Sequence, residues 1–405
     1  MTEELKRTQF YEKNVQAGAK MVGFGGWDMP IQYTGGIIDE HLAVRKGVGL
    51  FDVSHLERFL FRGSNALAFL QHVLTNDASS LPVGMSHYSI IANENGGAID
   101  DVYLYRFCES EYLLVVNASN ADKDWDYFQE ILKSFSDVEM IRQTADVGML
   151  ALQGPESENI LNRIIEKGNL PEPKRNALSS VVIMGADIKL ARTGYTAEPK
   201  CFELFIKKED SSKIWDLLIE QGASPIGLGA RDTLRLEGSL PLYGHEYNID
   251  PEGNEFPIFA CPLASFGVCF AEAKGDFIGK EALLKQYMAI QKFKEGGFSL
   301  KANLPRRIKN FKLLDKGIAR QGCAVYKNGE KVGVVTSGTM VPYWEFDGDK
   351  PTGTKGMRSI GMALIDSEIK KGDHIQVEIR NNKVEAEIVA SHISIKNPNF
   401  AQPIL

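Results

Sequence analysis

The sequence predicts an α+β protein of more than one domain, and three observations lead there. A chain of 405 residues is too long for one simple core, so two or three domains are expected. Residues 56–140 have the rhythm of a compact α+β unit, in which Asn95-Gly96 signals a hairpin between two apolar runs. From Phe298 onward helical spacing gives way to short strands separated by turn residues, the pattern of a small antiparallel barrel or sandwich.

Taken in order, residues 2–22 alternate charged and apolar positions at helical spacing, which predicts a helix ending near Gly18. Gly23-Phe-Gly-Gly-Trp27 then reads as a tight loop, because the G-x-G-x-x-G pattern and its strand-loop-helix setting both fail. Residues 36–48 form a second helix and 49–55 a strand. In the α+β unit, a strand at Arg58–Arg62 leads to a helix at 64–74 and then the hairpin. A strand at 111–117 and a helix at 120–134 follow, the helix capped by Asn120.

Val147–Gly154 reads as a buried strand and Gly154-Pro155 opens a helix at 156–167. Strands end at Arg192–Tyr195 and begin at Cys201–Ile206. The stretch 248–274 is an irregular loop with a strand at Phe266–Phe270, before a linker helix at 279–291. The last module carries strands at 323–326, 331–336, 359–364, 374–379 and 384–389, with hairpin turns at 327–330 and 380–383.

Hydrophobic residues make up 43% and charged residues 24%, the balance of a soluble globular chain. A net charge of −7 leaves no domain-wide basic surface for nucleic acid, although a local patch for a small anion stays open. Five cysteines at irregular spacing, without C-x-x-C or a His at ligand spacing, indicate reduced thiols and neither a disulfide framework nor a metal site. No apolar run approaches the ~18 residues of a membrane span. The polar N-terminus fits no signal or transit peptide, so a cytoplasmic location is expected.

Two stretches offer chemistry. Asp100 and Asp101 begin the second hairpin strand, and alternation sends them to opposite faces, so only one can enter a given cleft. An arbitrary Asp-Asp pair is more often solvated than functional. Arg231 follows Gly227 and Gly229, which would leave backbone open to a ligand while the guanidinium grips a carboxylate. The competing reading pairs Arg231 with Asp232 or Glu237 on a solvated helix face. Glu203 lies inside an apolar strand, where periodicity favours the solvent side.

Four stretches together resemble the aminomethyltransferase (T protein) family of the glycine cleavage system. They are Met21-Val-Gly-Phe-Gly-Gly-Trp-Asp-Met-Pro30, Val48-Gly-Leu-Phe-Asp-Val-Ser-His55, Asn93-Glu-Asn-Gly-Gly-Ala-Ile-Asp-Asp101, and Gly227-Leu-Gly-Ala-Arg-Asp232 continuing to Glu246. The resemblance implies a three-domain cloverleaf around a central tetrahydrofolate site: 1–54 with 142–255 binding folate, 55–141 carrying the hairpin, and a C-terminal β-barrel at 275–405. It implies that Asp101 is the catalytic acid/base or orienting group, that Arg231 and Glu203 grip the folate, and that Tyr88, Asn117 and Tyr195 line the cleft. Tetrahydrofolate as co-substrate, no metal, lipoylated H protein as partner and a monomeric state are implied with it.

The chain departs from the family pattern at 196–203, 255–263 and 340–356, on the side where the lipoyl arm would approach. Those departures leave open a folate-dependent demethylase of a small methylated compound. A non-catalytic folate-binding iron–sulfur assembly factor fits less well, because Asp276 stands where that family carries cysteine.

Overall fold

Three sheets organise the chain, each where apolar residues alternate or run together. The computed structural model describes residues 4–250, 252–348, 350–395 and 401–405. The first sheet has six strands in the order Leu178–Ile183, Ala186–Ala191, Cys201–Lys207, Val147–Gln153, Gly49–Asp52, Ser224–Ile226. Only its last pair is parallel. The second has five antiparallel strands in the order Met85–Ala92, Ala98–Cys108, Glu111–Val116, Glu57–Arg62, Glu139–Arg142.

The third sheet is a closed six-stranded antiparallel barrel, which decides between barrel and sandwich. It contains a strand, Arg306–Leu313, that sequence reading passed over because its charged residues mask the buried Ile308 and Phe311. Two other barrel strands are far longer than expected, Glu330–Asp347 and Lys350–Asp366. They stay paired from Gly333↔Ile365 out to Asp347↔Lys350, so residues 340–347 and 350–356 are the outer part of a hairpin. It lies on the helix Gly36–Lys46: the Trp344 indole donates to Leu42 O at 3.1 Å, and Lys355 meets Asp39 at 3.2 Å.

The five-stranded sheet packs one face on the helices Ala66–Val73 and Ala121–Leu132, through Phe59, Phe61, Phe69 and Phe128. Its other face meets the six-stranded sheet through Tyr105, Leu113, Val115, Phe51 and Phe205.

Two expectations fail here. The N-terminal helix is confined to Tyr11–Gln16. Gly18 takes φ +81 and stops it, and Lys20–Phe24 instead pairs with Trp27–Gln32 in a hairpin turning at Gly25-Gly26, the tight loop expected there. Phe266–Phe270 is not a strand. Ala264–Gly267 is a helical turn, and the Phe266 side chain projects outward, 74% exposed. Among the described residues no helix is long and apolar enough to cross a membrane.

Candidate active site

The hairpin that carries the two carboxylates is fixed at its tip by short contacts. Asn93 Oδ1 accepts from Asn95 N at 2.9 Å and Gly97 N at 3.1 Å, while Gly96 N donates to Asn93 O at 3.1 Å. Gly96 takes φ +81 and Asn95 does not take a positive φ, so the turn is type I followed by a left-handed glycine rather than two left-handed residues. Glu255 receives Asn93 Nδ2 at 2.8 Å, and the Gln286 amide donates to Gly96 O at 3.0 Å.

Beyond this tip, alternation separates the pair as expected. Asp101 points into a cavity of about 350 Å³, within the usual size of a small-molecule site. Asp100 points the other way and is 0% exposed, which corrects the solvated reading for it. Its carboxylate accepts from Asn117 N (2.9 Å), Asn117 Nδ2 (2.8 Å) and Asn120 Nδ2 (2.6 Å). Asn120 therefore occupies the helix N-cap position with its side chain committed to Asp100 rather than to capping.

The six residues singled out in the sequence all line this one cavity. Tyr88 donates its hydroxyl to Asp101 Oδ2 at 3.1 Å, and Asn117 Nδ2 reaches Asp101 Oδ1 at 3.0 Å. Glu203 accepts from the hydroxyls of Tyr105 (2.6 Å) and Thr193, which corrects its expected solvent-side placement. The sheet face that alternation called exposed is covered by the neighbouring sheet. Tyr195 donates its hydroxyl to Pro241 O, and the Arg231 guanidinium lies 4.6 Å from its ring centroid.

Arg231 has no carboxylate within 4 Å among the described residues. Asp232 pairs with Arg235, and Glu237 with Arg45 and Arg358, so the solvated-pair reading fails. The two glycines before it are not open to a ligand. A Cβ on Gly227 would stand 2.4 Å from Ile31 O, and one on Gly229 2.4 Å from Ile37 Cδ1, so both serve close packing of the helix Leu228–Glu237 on the chain.

Burial sets the electrostatics. It pushes the Asp101 carboxyl up to about 7, helped by the charge on Asp100 and opposed by the bonds from Tyr88 and Asn117. Glu203 is also raised by burial, against the hydrogen bonds of Thr193 and Tyr105. His55 behind Arg231 is pushed down to about 3 by burial and by Arg231 and Arg58, so it is neutral and leaves the guanidinium's charge to the cavity.

Sequence reading missed Tyr103, Tyr105 and Tyr247. The first two were legible, because residues two and four beyond Asp101 on a strand share its face. Both line the cavity. Tyr247 had no signal: it comes from the irregular stretch, is 1% exposed, and stands 3.1 Å from the Tyr88 hydroxyl. Since Tyr88 has one hydrogen and gives it to Asp101, Tyr247 donates to Tyr88, and a two-hydroxyl chain ends on the carboxylate.

Of the three departing stretches, 340–356 contributes none of the cavity lining among the described residues. The 196–200 loop is held away by Arg45, which donates to Thr196 O (2.8 Å) and Glu198 (2.5 Å). Ala197 there takes φ +58, a left-handed conformation that costs a non-glycine residue ~1 kcal/mol.

An aromatic-walled slot, one carboxylate poised near neutrality and two guanidiniums, Arg175 and Arg231, with no ion-pair partner among the described residues make the site of a group-transfer enzyme for a flat substrate with polar edges. Residues 10–256 match the family model of the GCVT N-terminal domain. The chain is 39% identical over 390 residues to the aminomethyltransferase of Listeria welshimeri, covering 95% of this chain and 97% of that one. It is 41% identical over 376 residues to that of Deinococcus deserti, covering 93% of each. The crystal structure of glycine cleavage system aminomethyltransferase T from Bartonella henselae matches with a TM-score of 0.77 at 28% identity, covering 99% of this chain and 100% of that one. The chain belongs to the aminomethyltransferase (GCVT) family of the glycine cleavage system.

Proposed function

We propose that this chain moves the one-carbon unit of an aminomethyl group, carried on the dihydrolipoyl arm of H protein, to tetrahydrofolate. Ammonia is released and methylenetetrahydrofolate formed. The observation that carries the reading is the Asp101 carboxylate, presented into the cavity by a hairpin fixed at both ends of its turn and raised to about 7.

The reaction needs the folate nitrogen held beside the donor carbon and a group that can hold or move a proton where ammonia leaves. A carboxyl near neutrality exists in both forms at working pH, which suits it to that task. Arg231, which no carboxylate among the described residues satisfies, is free to meet a polar or anionic edge of the folate. Glu203 keeps lone pairs for substrate N–H groups beyond those taken by Tyr105 and Thr193. Tyr88, Asn117 and Tyr195 line the cleft, and Tyr88 and Asn117 also orient Asp101.

Incubating the protein with tetrahydrofolate and aminomethylated H protein is expected to yield methylenetetrahydrofolate and ammonia. Turnover with small methylated donors but none with H protein would overturn the donor assignment. Arg231→Ala is expected to raise the Kd for tetrahydrofolate by ~10- to 100-fold, the loss of a charge-assisted hydrogen bond. Calorimetric titration reads this directly, and an unchanged Kd removes Arg231 from the site.

A further inference from the structure

Behind Asp101, on the far side of its strand, lies a third carboxyl for which the reaction above has no use. Asp124, on the helix Ala121–Leu132, is 0% exposed, and neither of its oxygens meets a hydrogen-bond donor among the described residues. The adjacent Lys123 sends its ammonium elsewhere, to Ile99 O at 2.6 Å and the Tyr243 hydroxyl at 3.0 Å. What Asp124 faces is the carboxylate of Asp100.

The two acids differ in how they are satisfied. Asp100 Oδ1 takes Asn117 Nδ2 and Asn120 Nδ2, and Oδ2 takes Asn117 N, so Asp100 is built to be ionised. An ionised Asp124 would be a buried charge with no donor, beside a like charge, at a cost of several kcal/mol. A protonated Asp124 supplies a donor and Asp100 has a lone pair to receive it.

We propose that Asp124 is a neutral carboxylic acid at physiological pH, its proton donated to Asp100, and that this hydrogen-bonded acid–carboxylate pair is a positioning element holding one negative charge behind Asp101. The connection forward runs through Asn117, whose amide touches Asp100 Oδ1 at 2.8 Å and Asp101 Oδ1 at 3.0 Å. One carboxylate behind Asp101 raises its proton affinity; two would leave the strand end unstable. The other titratable groups facing Asp101, namely Tyr88, Tyr195, Tyr247 and Cys261, are all pushed up by burial and stay neutral. Burial and Asp100 push Asp124 in the same direction.

The proposal rests on the role of Asp101 only for its functional half, and infrared spectroscopy separates the two. At pH 8 the intact protein is expected to show the carbonyl stretch of a protonated, buried carboxyl. Asp124→Asn, which keeps the shape and an N–H donor, should fold and lose that band, whereas Asp101→Asn should keep it. No band in the parent at pH 8, or a band unchanged in Asp124→Asn, overturns the assignment whatever Asp101 does. Asp100→Asn, which removes the charge, is expected to move the pH midpoint of turnover down by roughly one to three units. A midpoint that stays in place overturns the positioning role.

Discussion

Asp101→Asn is expected to lower turnover by ~10²-fold or more while the Kd for tetrahydrofolate changes little, the scale on which a lost acid–base group is felt. The amide keeps the shape and can still receive the Tyr88 hydroxyl, so binding surface is retained and proton handling is not. Turnover within about threefold of the parent would remove Asp101 from the chemistry.

The same variant should be more stable than the parent at pH 8, and the sign follows from its titration. The carboxyl titrates near 3.8 when unfolded and about 7 when folded, so between those values the folded state binds more protons. Stability therefore falls as pH rises through that window. Asn removes the loss, and its advantage in Tm should shrink to nothing below about pH 4, where Asp is protonated in both states. A variant that loses activity and gains stability together is what a buried catalytic charge predicts.

The second large effect is on the fold. Glu237, 2% exposed, accepts from Arg45 Nε at 2.9 Å and from Arg358 at 2.5 Å, and lies within ion-pair distance of Arg45 Nη2 (2.9 Å) and His41 Nε2 (3.2 Å). It ties the helices Gly36–Lys46 and Leu228–Glu237 to the barrel strand Lys350–Asp366. Burial pushes its carboxyl up, but Arg45, His41 and Arg358 outweigh burial and hold it well below the usual range.

Glu237→Gln leaves two buried guanidiniums facing a neutral amide, a change expected to cost about 3–5 kcal/mol and lower Tm by roughly 5–10 °C. Because the native carboxyl is depressed, its contribution is complete above about pH 4.5 and lost as pH falls below that. The gap between parent and variant should therefore close in acid. A Tm loss under about 2 °C at neutral pH would show that the cluster adds little.

Much of this was legible in the sequence because it depends on local rules. Hairpin turns at 327–330 and 380–383, the buried strand Val147–Gln153 and the split of Asp100 from Asp101 follow from turn chemistry and period two. What alternation could not say is which strand face another sheet would cover, and Glu203 was misplaced for that reason. The Arg306–Leu313 strand was hidden because its lysines and arginines interrupt the two buried residues, Ile308 and Phe311, which face different clusters and so leave no period-two pattern.

Long-range pairings were beyond reach altogether. Arg45 meets a glutamate 192 residues away, and Asp124 acquires its meaning from the facing Asp100 and from the lack of a donor to it among the described residues. Resemblance, not periodicity, selected Asp101 over Asp100; the packing turns Asp101 into the cavity and Asp100 onto Asn117 and Asn120.

The clamp on the hairpin turn has a consequence in time. Gln286, which holds Gly96 O, is 190 residues further along the chain, and its other end accepts from Phe259 N at 3.0 Å. At synthesis rates of ~5–20 residues per second, roughly 10–40 s separate the emergence of the turn from that of its clamp. For most of that interval Ile90 and Ala92 lack Phe256, Ile258 and Leu283, against which they are buried in the finished molecule. The carboxylate strand is thus made early and set late: until residues 256–286 emerge, its apolar flank has nothing to pack on and its turn has no clamp.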